Sequence, residues 1–144
     1  MHPQIRVLTL AVADLERALT FYRDGLGFTS AGIVADDLVD EQSGAAGAIA
    51  TFEFERGLTV ALYPRSELAK DAGAPPAATA GSGFSLGHAV ASRGAVDEVL
   101  RQAQAAGATV TSPPRDRPWG IYSGYFADPD GHLWEVIWSP DLIS

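Results

Sequence analysis

Two stretches of the chain repeat one alternation of apolar and polar positions. Leu10-Ala11-Val12-Ala13-Asp14 and His88-Ala89-Val90-Ala91-Ser92 are short strand-like runs, each closed by a residue whose side-chain oxygen suits a helix N-cap. A helical period follows in both. Leu15, Ala18, Leu19 and Tyr22 fall at i, i+3, i+4 and i+7 before Gly25, and Val96, Val99, Leu100 and Ala103 do the same before Gly107. Each helix therefore has one face to bury. Residues 28–34 and 108–111 read as returning strands, and each half closes on a hairpin. The first pairs residues 48–54 with 58–63 around Glu55-Arg56-Gly57; the second pairs 120–127 with 132–138 around Asp128-Pro129-Asp130-Gly131.

This pattern predicts a single α+β domain of two tandem βαβββ modules, the first over about residues 4–65 and the second over about 84–140. Residues 66–83, rich in Ala, Gly and Pro and without periodicity, read as a surface linker. Residues 35–47 carry Asp36, Asp37, Asp40 and Glu41 and read either as a solvated acidic loop or as a flap over a cleft. One helix covers one face of each small sheet. Two curved sheets placed edge to edge would form a concave mixed sheet with the helices outside, and that concavity is the expected ligand site.

Strand alternation assigns residues to faces. With Glu135 inward, Leu133 and Ile137 share its side while Trp134 and Val136 pack under a helix. Aligning the halves on Gly57 and Gly131 sets Ala61 against Glu135; aligning them on Ala11-Val12 and Ala89-Val90 sets Val7 against Ser85.

Composition narrows the chemistry. The 144 residues contain no cysteine, which removes disulfides, thiolate nucleophiles and thiolate metal sites. A formal net charge of −8 argues against a general nucleic-acid surface. The apolar run from Ile5 to Val12 is too short to span a bilayer and has no signal-peptide pattern, so a cytoplasmic protein without a membrane partner is expected. No Ser–His–Asp set, phosphate-binding glycine loop or dinucleotide fingerprint is present.

The opening Leu8-Thr9-Leu10-Ala11-Val12-Ala13-Asp14-Leu15, with Phe21-Tyr22 and Gly25-Leu26-Gly27-Phe28, resembles the first module of the vicinal oxygen chelate superfamily. That superfamily includes glyoxalase I, extradiol dioxygenases, fosfomycin-resistance enzymes and bleomycin-resistance proteins. Gly124-Tyr125-Phe126-Ala127-Asp128-Pro129-Asp130-Gly131-His132-Leu133-Trp134-Glu135-Val136 is similar to its final hairpin. The resemblance implies a homodimer. It also implies, for the superfamily's enzymes, a divalent ion held by inward His, Glu or Gln side chains. The corresponding positions here are Val7, Ala61, Ser85 and Glu135, of which only Glu135 is a credible ligand. A catalytic divalent site needs about three protein ligands, so no metal is expected unless the register is wrong. His88, three residues after Ser85, would face the opposite side and pack beneath a helix, unless a one-residue bulge turns it inward as a metal ligand beside Glu135; His132 would be exposed after its turn.

Glu135 reads as the polar anchor of a ligand or a general base, or else as a carboxylate satisfied by Arg6, Tyr122, Ser123 or backbone. Trp119, after the loop-like Arg115-Asp116-Arg117-Pro118, is the expected stacking residue for a flat ligand, with Arg115 and Arg117 solvated. The ligand-binding set is therefore Glu135, Trp119, Tyr122, Val7, Ala61 and Ser85, suited to a planar or cationic small molecule. The leading expectation is a metal-independent, drug-sequestering protein of the bleomycin-resistance type. The alternatives are a metal-dependent glyoxalase-like lyase or dioxygenase, and a metal-free isomerase or lyase with Glu135 as catalytic base.

Overall fold

A computed structural model of the chain describes residues 1–34, 39–79 and 83–141. These form two compact units, residues 1–81 and 82–144, each built on a four-stranded mixed sheet.

In the first unit the strands are β1 (Val7–Val12), β2 (Ile33–Val34), β3 (Ile49–Glu53) and β4 (Thr59–Pro64), in the order β1-β4-β3-β2. β1 runs parallel to β4 and the remaining pairs are antiparallel. Helix α1 (Leu15–Leu19) begins where Asp14 accepts a hydrogen bond from the Arg17 amide at 3.0 Å. It widens at once into a π-turn, Thr20–Gly25, which lets the consecutive Phe21 and Tyr22 both be buried. Leu10, Val12, Val60, Leu62, Ala50 and Phe52 share one sheet face by register and are all buried. Tyr22, Phe28, Phe52 and Phe54 knit that face to α1, with ring centroids 5.0–6.0 Å apart.

The expected strand over 28–34 shrinks to Ile33–Val34. Gly27 and Gly32 turn the chain with φ of +82° and +97°, and Phe28 leaves the ladder to enter the core. The expected linker over 66–83 also needs correction. Helix α2 (Arg65–Ala72) occupies its first part, closed by Gly73 in the left-handed region, and Pro76–Thr79 forms a short 3-10 turn. α2 packs against β1 and β4 through the buried Ala69. Asp36 and Asp37 of the acidic segment lie outside the described residues. Asp40 spends its carboxylate locally, accepting from Ser43 Oγ at 2.7 Å and the Gln42 amide at 3.1 Å. The segment is tied down where the Ala46 amide donates to Glu67 of α2 and the Tyr63 hydroxyl donates to the Ala46 carbonyl.

The second unit repeats the plan with β5 (Ser85–Ala89), α3 (Arg93–Ala106), β6 (Thr109–Arg117), β7 (Ile121–Ala127) and β8 (Leu133–Trp138) in the order β5-β8-β7-β6. Ser92 caps α3 by accepting from the Ala95 amide at 3.1 Å, and Gly107 ends it at φ +116°. Its buried stripe is Val96, Leu100 and Ala103. β6 runs far beyond the expected 108–111 because two irregularities, between Val110 and Ser112 and between Ser112 and Arg115, carry the ladder past Pro113 and Pro114. Gly124 of β7 is indispensable to that passage. A Cβ there would lie 2.5 Å from Leu100 Cδ1, 2.9 Å from the Ser112 carbonyl oxygen and 3.0 Å from the Pro114 nitrogen. No described helix is long and apolar enough to cross a membrane.

Candidate functional site

The turn from Asp128 to Gly131 sets the frame. The Asp128 carboxylate accepts from the amides of Asp130 and His132 at 2.9 and 2.8 Å, and the Asp128 amide donates to the His132 carbonyl at 2.9 Å. His132 is consequently 7% exposed, not the exposed residue its place after a turn suggests. This closure pairs Ala127 with Leu133, Tyr125 with Glu135 and Ser123 with Ile137.

Alternation then separates two faces of the sheet. Gly124, Phe126, Trp134 and Val136 lie toward α3, where Phe126 and Trp134 stack at 6.0 Å. Ser123, Tyr125, Leu133, Glu135 and Ile137 lie on the face opposite α3. Glu135 pairs with Gly87 on β5, and Ser85 lies two residues away on that same face.

Here a polar cluster forms around the half-buried Glu135. The fully buried Ser123 donates from Oγ to Glu135 Oε2 at 2.8 Å. The Tyr125 phenol lies beside Glu135, and its pKa is held above the usual value, first by burial and then by the adjacent carboxylate, with Arg117 opposing. The Arg117 guanidinium lies over the Tyr125 ring, 5.2 Å from its centroid. Arg117 donates from Nη2 to Ser112 Oγ at 3.0 Å, and from Nε and Nη2 to the Ser123 carbonyl at 3.4 and 3.3 Å. Arg117 is thus a fixed, half-buried part of the cluster and not the solvated loop residue its neighbours suggest.

The other sequence candidates fall elsewhere. Tyr122 pairs with Trp138 on the α3 side and donates to Asp97 of α3 at 2.7 Å. Arg93 lies over both rings, 4.9 Å from Tyr122 and 5.3 Å from Trp138, and pairs with Asp116 at 2.7 Å. Tyr122 and Glu135 therefore do not share a face. Trp119 stands at the apex of the β6–β7 hairpin, 89% exposed and at φ +65°. Four residues of β7, about 13 Å of extended chain, separate the start of that strand from Tyr125. Val7 and Ala61 belong to the first unit, where Val7 pairs with Thr59 and the buried Ala61 with Thr9. His88 pairs with Val136 and so belongs to the α3 side, but it stays exposed on the edge strand instead of packing beneath the helix. Crowding there still pushes its pKa below the ordinary histidine value.

Tyr125 is the group that sequence reasoning missed. The hairpin turn was sufficient to find it, since a ladder closing as Ala127 with Leu133 must bring Tyr125 opposite Glu135.

A profile of the glyoxalase/bleomycin resistance protein/dioxygenase superfamily matches residues 4–136. The chain belongs to this superfamily. Among solved structures, a glyoxalase-related enzyme from Fulvimarina pelagi shares 29% identity at a TM-score of 0.78, over 96% of this chain and 89% of that one. A glyoxalase/bleomycin resistance protein/dioxygenase from Nocardioides shares 28% identity at a TM-score of 0.67, over 100% and 91%. A lactoylglutathione lyase from Agrobacterium tumefaciens shares 25% identity at 0.61, over 94% and 93%. No curated protein matches the chain.

Superfamily membership raises the question of a divalent ion. Among the described residues, no three His, Asp or Glu side chains come together. Val7, Ala61 and Ser85 supply no carboxylate or imidazole, and Glu135 is already engaged by Ser123 and Tyr125. One carboxylate beside hydroxyls and a guanidinium is a poor donor set for an ion that requires about three ligands.

Proposed function

We propose that the chain is a small-molecule-binding member of the superfamily that works without a catalytic metal and uses Glu135 as the polar anchor of its ligand. One observation carries this reading: a half-buried carboxylate, oriented by Ser123 and flanked by Tyr125, on the sheet face that α3 leaves uncovered. A ligand that brings a donor or a positive group to that carboxylate replaces its lost hydration and gains affinity. In this reading the protein is cytoplasmic and a homodimer, the latter checked by sedimentation.

The test is metal analysis of protein purified without chelator, followed by NMR titration with planar cationic compounds. Substoichiometric divalent metal, with the Glu135 and Tyr125 amides shifting on titration, is the expected result. Stoichiometric zinc, nickel, manganese or iron that Glu135→Gln releases would replace this reading with the metal-dependent lyase or dioxygenase one.

The Tyr125 phenol beside Glu135 offers a general acid next to a carboxylate base, which supports a second reading, a metal-free isomerase or lyase in which Glu135 takes a proton from the substrate. Deuterium exchange α to a carbonyl, present in wild type and lost in Glu135→Gln, distinguishes catalysis from sequestration.

A further inference from the structure

The proposed anchor explains Glu135 but not why a cation is fixed beside it. Arg117 is unusual for an arginine near a hairpin end, because its place is determined three ways: by the Tyr125 ring beneath it, by Ser112 Oγ and by the Ser123 carbonyl. These contacts use Nε and Nη2, leaving Nη1 with no acceptor among the described residues. Arg117 and Glu135 form no ion pair between them, although both contact Ser123 and Tyr125. The register places both on the face opposite α3: Arg117 pairs with Ile121, which has the same parity on β7 as Ser123 and Tyr125. The cluster therefore presents a carboxylate and a guanidinium with a phenol between them, each charge immobilised and neither neutralised by the other.

A purely cationic ligand would gain at Glu135 and be repelled by Arg117. A purely anionic one would meet the reverse. From this geometry we infer that the ligand is amphoteric: it carries a donor or ammonium group for Glu135 and, across the Tyr125 ring that both charges flank, a carboxylate or similar oxyanion for the free edge of Arg117. The fixed fork of the guanidinium suits a planar oxyanion, and its ordering cost is met before the ligand arrives. This inference rests on the reading of Glu135 as a ligand anchor and specifies the substrate class of that site.

Three probes of one shape test it: 4-(aminomethyl)benzoate, 4-methylbenzylamine and 4-methylbenzoate, each titrated against the full chain with the amide signals of β7 and β8 observed by NMR. Wild type is expected to bind the zwitterion at least about tenfold more tightly than either singly charged probe, the size of one charge-assisted hydrogen bond. Arg117→Met should bring the zwitterion and the amine to about equal affinity, and Arg117→Lys, which keeps charge but not the fork, should fall between them. An amide spectrum of each variant that overlays wild type away from β6 establishes that the fold is intact. If the amine binds as tightly as the zwitterion in wild type, or if the ratio survives in Arg117→Met, the amphoteric assignment is overturned. Loss of amine binding in Glu135→Gln would then leave the anchor itself standing. If no probe moves the β7 and β8 amides, or if Glu135→Gln changes nothing, the anchor and the amphoteric assignment fall together.

Discussion

The two units place mostly the same residue kinds on their helix-facing sheet surfaces and different ones on the opposite surfaces. Matching the ladders puts Val12 with Val90, Phe52 with Phe126, Val60 with Trp134 and Leu62 with Val136, all buried. On the reverse, Ile49, Thr51 and Ala61 of the first unit stand where the second has Ser123, Tyr125 and Glu135. Packing demands volume and apolarity from the first set, so both units answer alike. The second set mixes buried positions, such as Ala61 and Ser123, with half-buried and exposed ones, and only the second unit has placed a charged cluster there. Fold and chemistry are thus separable within this chain.

The sharpest way to break the comparison is to move the chemistry across. Ala61→Glu puts a carboxylate at the position equivalent to Glu135, but on a buried site whose ladder neighbours are Thr9 and Thr51. A loss of about 3–5 kcal/mol is expected by urea denaturation, the cost of an unpaired buried charge. A loss below about 1 kcal/mol would show that the first unit could have hosted the site equally well.

Gly124 and Ala50 are also equivalent by register, and exchanging their residue types should destabilise both, but to different degrees and for different reasons. Gly124→Ala drives a methyl into Leu100 and the Ser112–Pro114 backbone and should cost about 1–3 kcal/mol. Ala50→Gly meets no such bulge and should cost only about 0.5–1 kcal/mol, through backbone freedom. Thermal unfolding of both variants reads the contrast directly.

Ser123→Ala sharpens the polar side. It removes one donor to Glu135 and should cost about 1 kcal/mol in stability. Ile49→Ala, at the equivalent place, loses apolar area instead, so the two should differ in their dependence on salt.

The smallest effect is expected at His88, which stands where the first unit has the buried Leu10. Crowding lowers the folded-state pKa of His88, so the folded form prefers it neutral. Its contribution is therefore complete above the unfolded histidine pKa, about 6.5, and is lost as pH falls through the lower folded value. Because the ring is exposed, the slope is shallow. His88→Leu should flatten the acid limb of a pH–stability curve, and an unchanged limb would assign it to other groups.

Much of this arrangement was legible from the sequence. Two independent turn and strand alignments set Val7 against Ser85 and Ala61 against Glu135, and the ladders have the same relation, Val7 facing Thr59 as Ser85 faces Leu133. Ser123 was among the donors considered for Glu135, and it is one. Other features were hidden for physical reasons. α2 is eight residues long, has a single buried residue and sits among Ala and Pro, so no apolar stripe announces it. β6 passes through Pro113-Pro114, which as a local signal ends a strand, and only Gly124 on its neighbour makes room for it. Arg117 looked solvated for the same reason, because the strand that carries it was not visible. Tyr122 and Tyr125 differ by an odd number of positions, and parity alone decides that Tyr125, not the expected Tyr122, meets Glu135.

The three tryptophans occupy three different environments, and this has an optical consequence. Trp134 is 5% exposed and stacked on Phe126, Trp138 is half-buried beneath Arg93, and Trp119 stands in water at the hairpin apex. Emission from Trp119 should be red-shifted and readily quenched by iodide, leaving a bluer spectrum from the other two. With that outer component quenched or removed by Trp119→Phe, what remains reports on the α3 side of the second sheet, and an emission change on titration can be assigned to the apex or to the body of the unit.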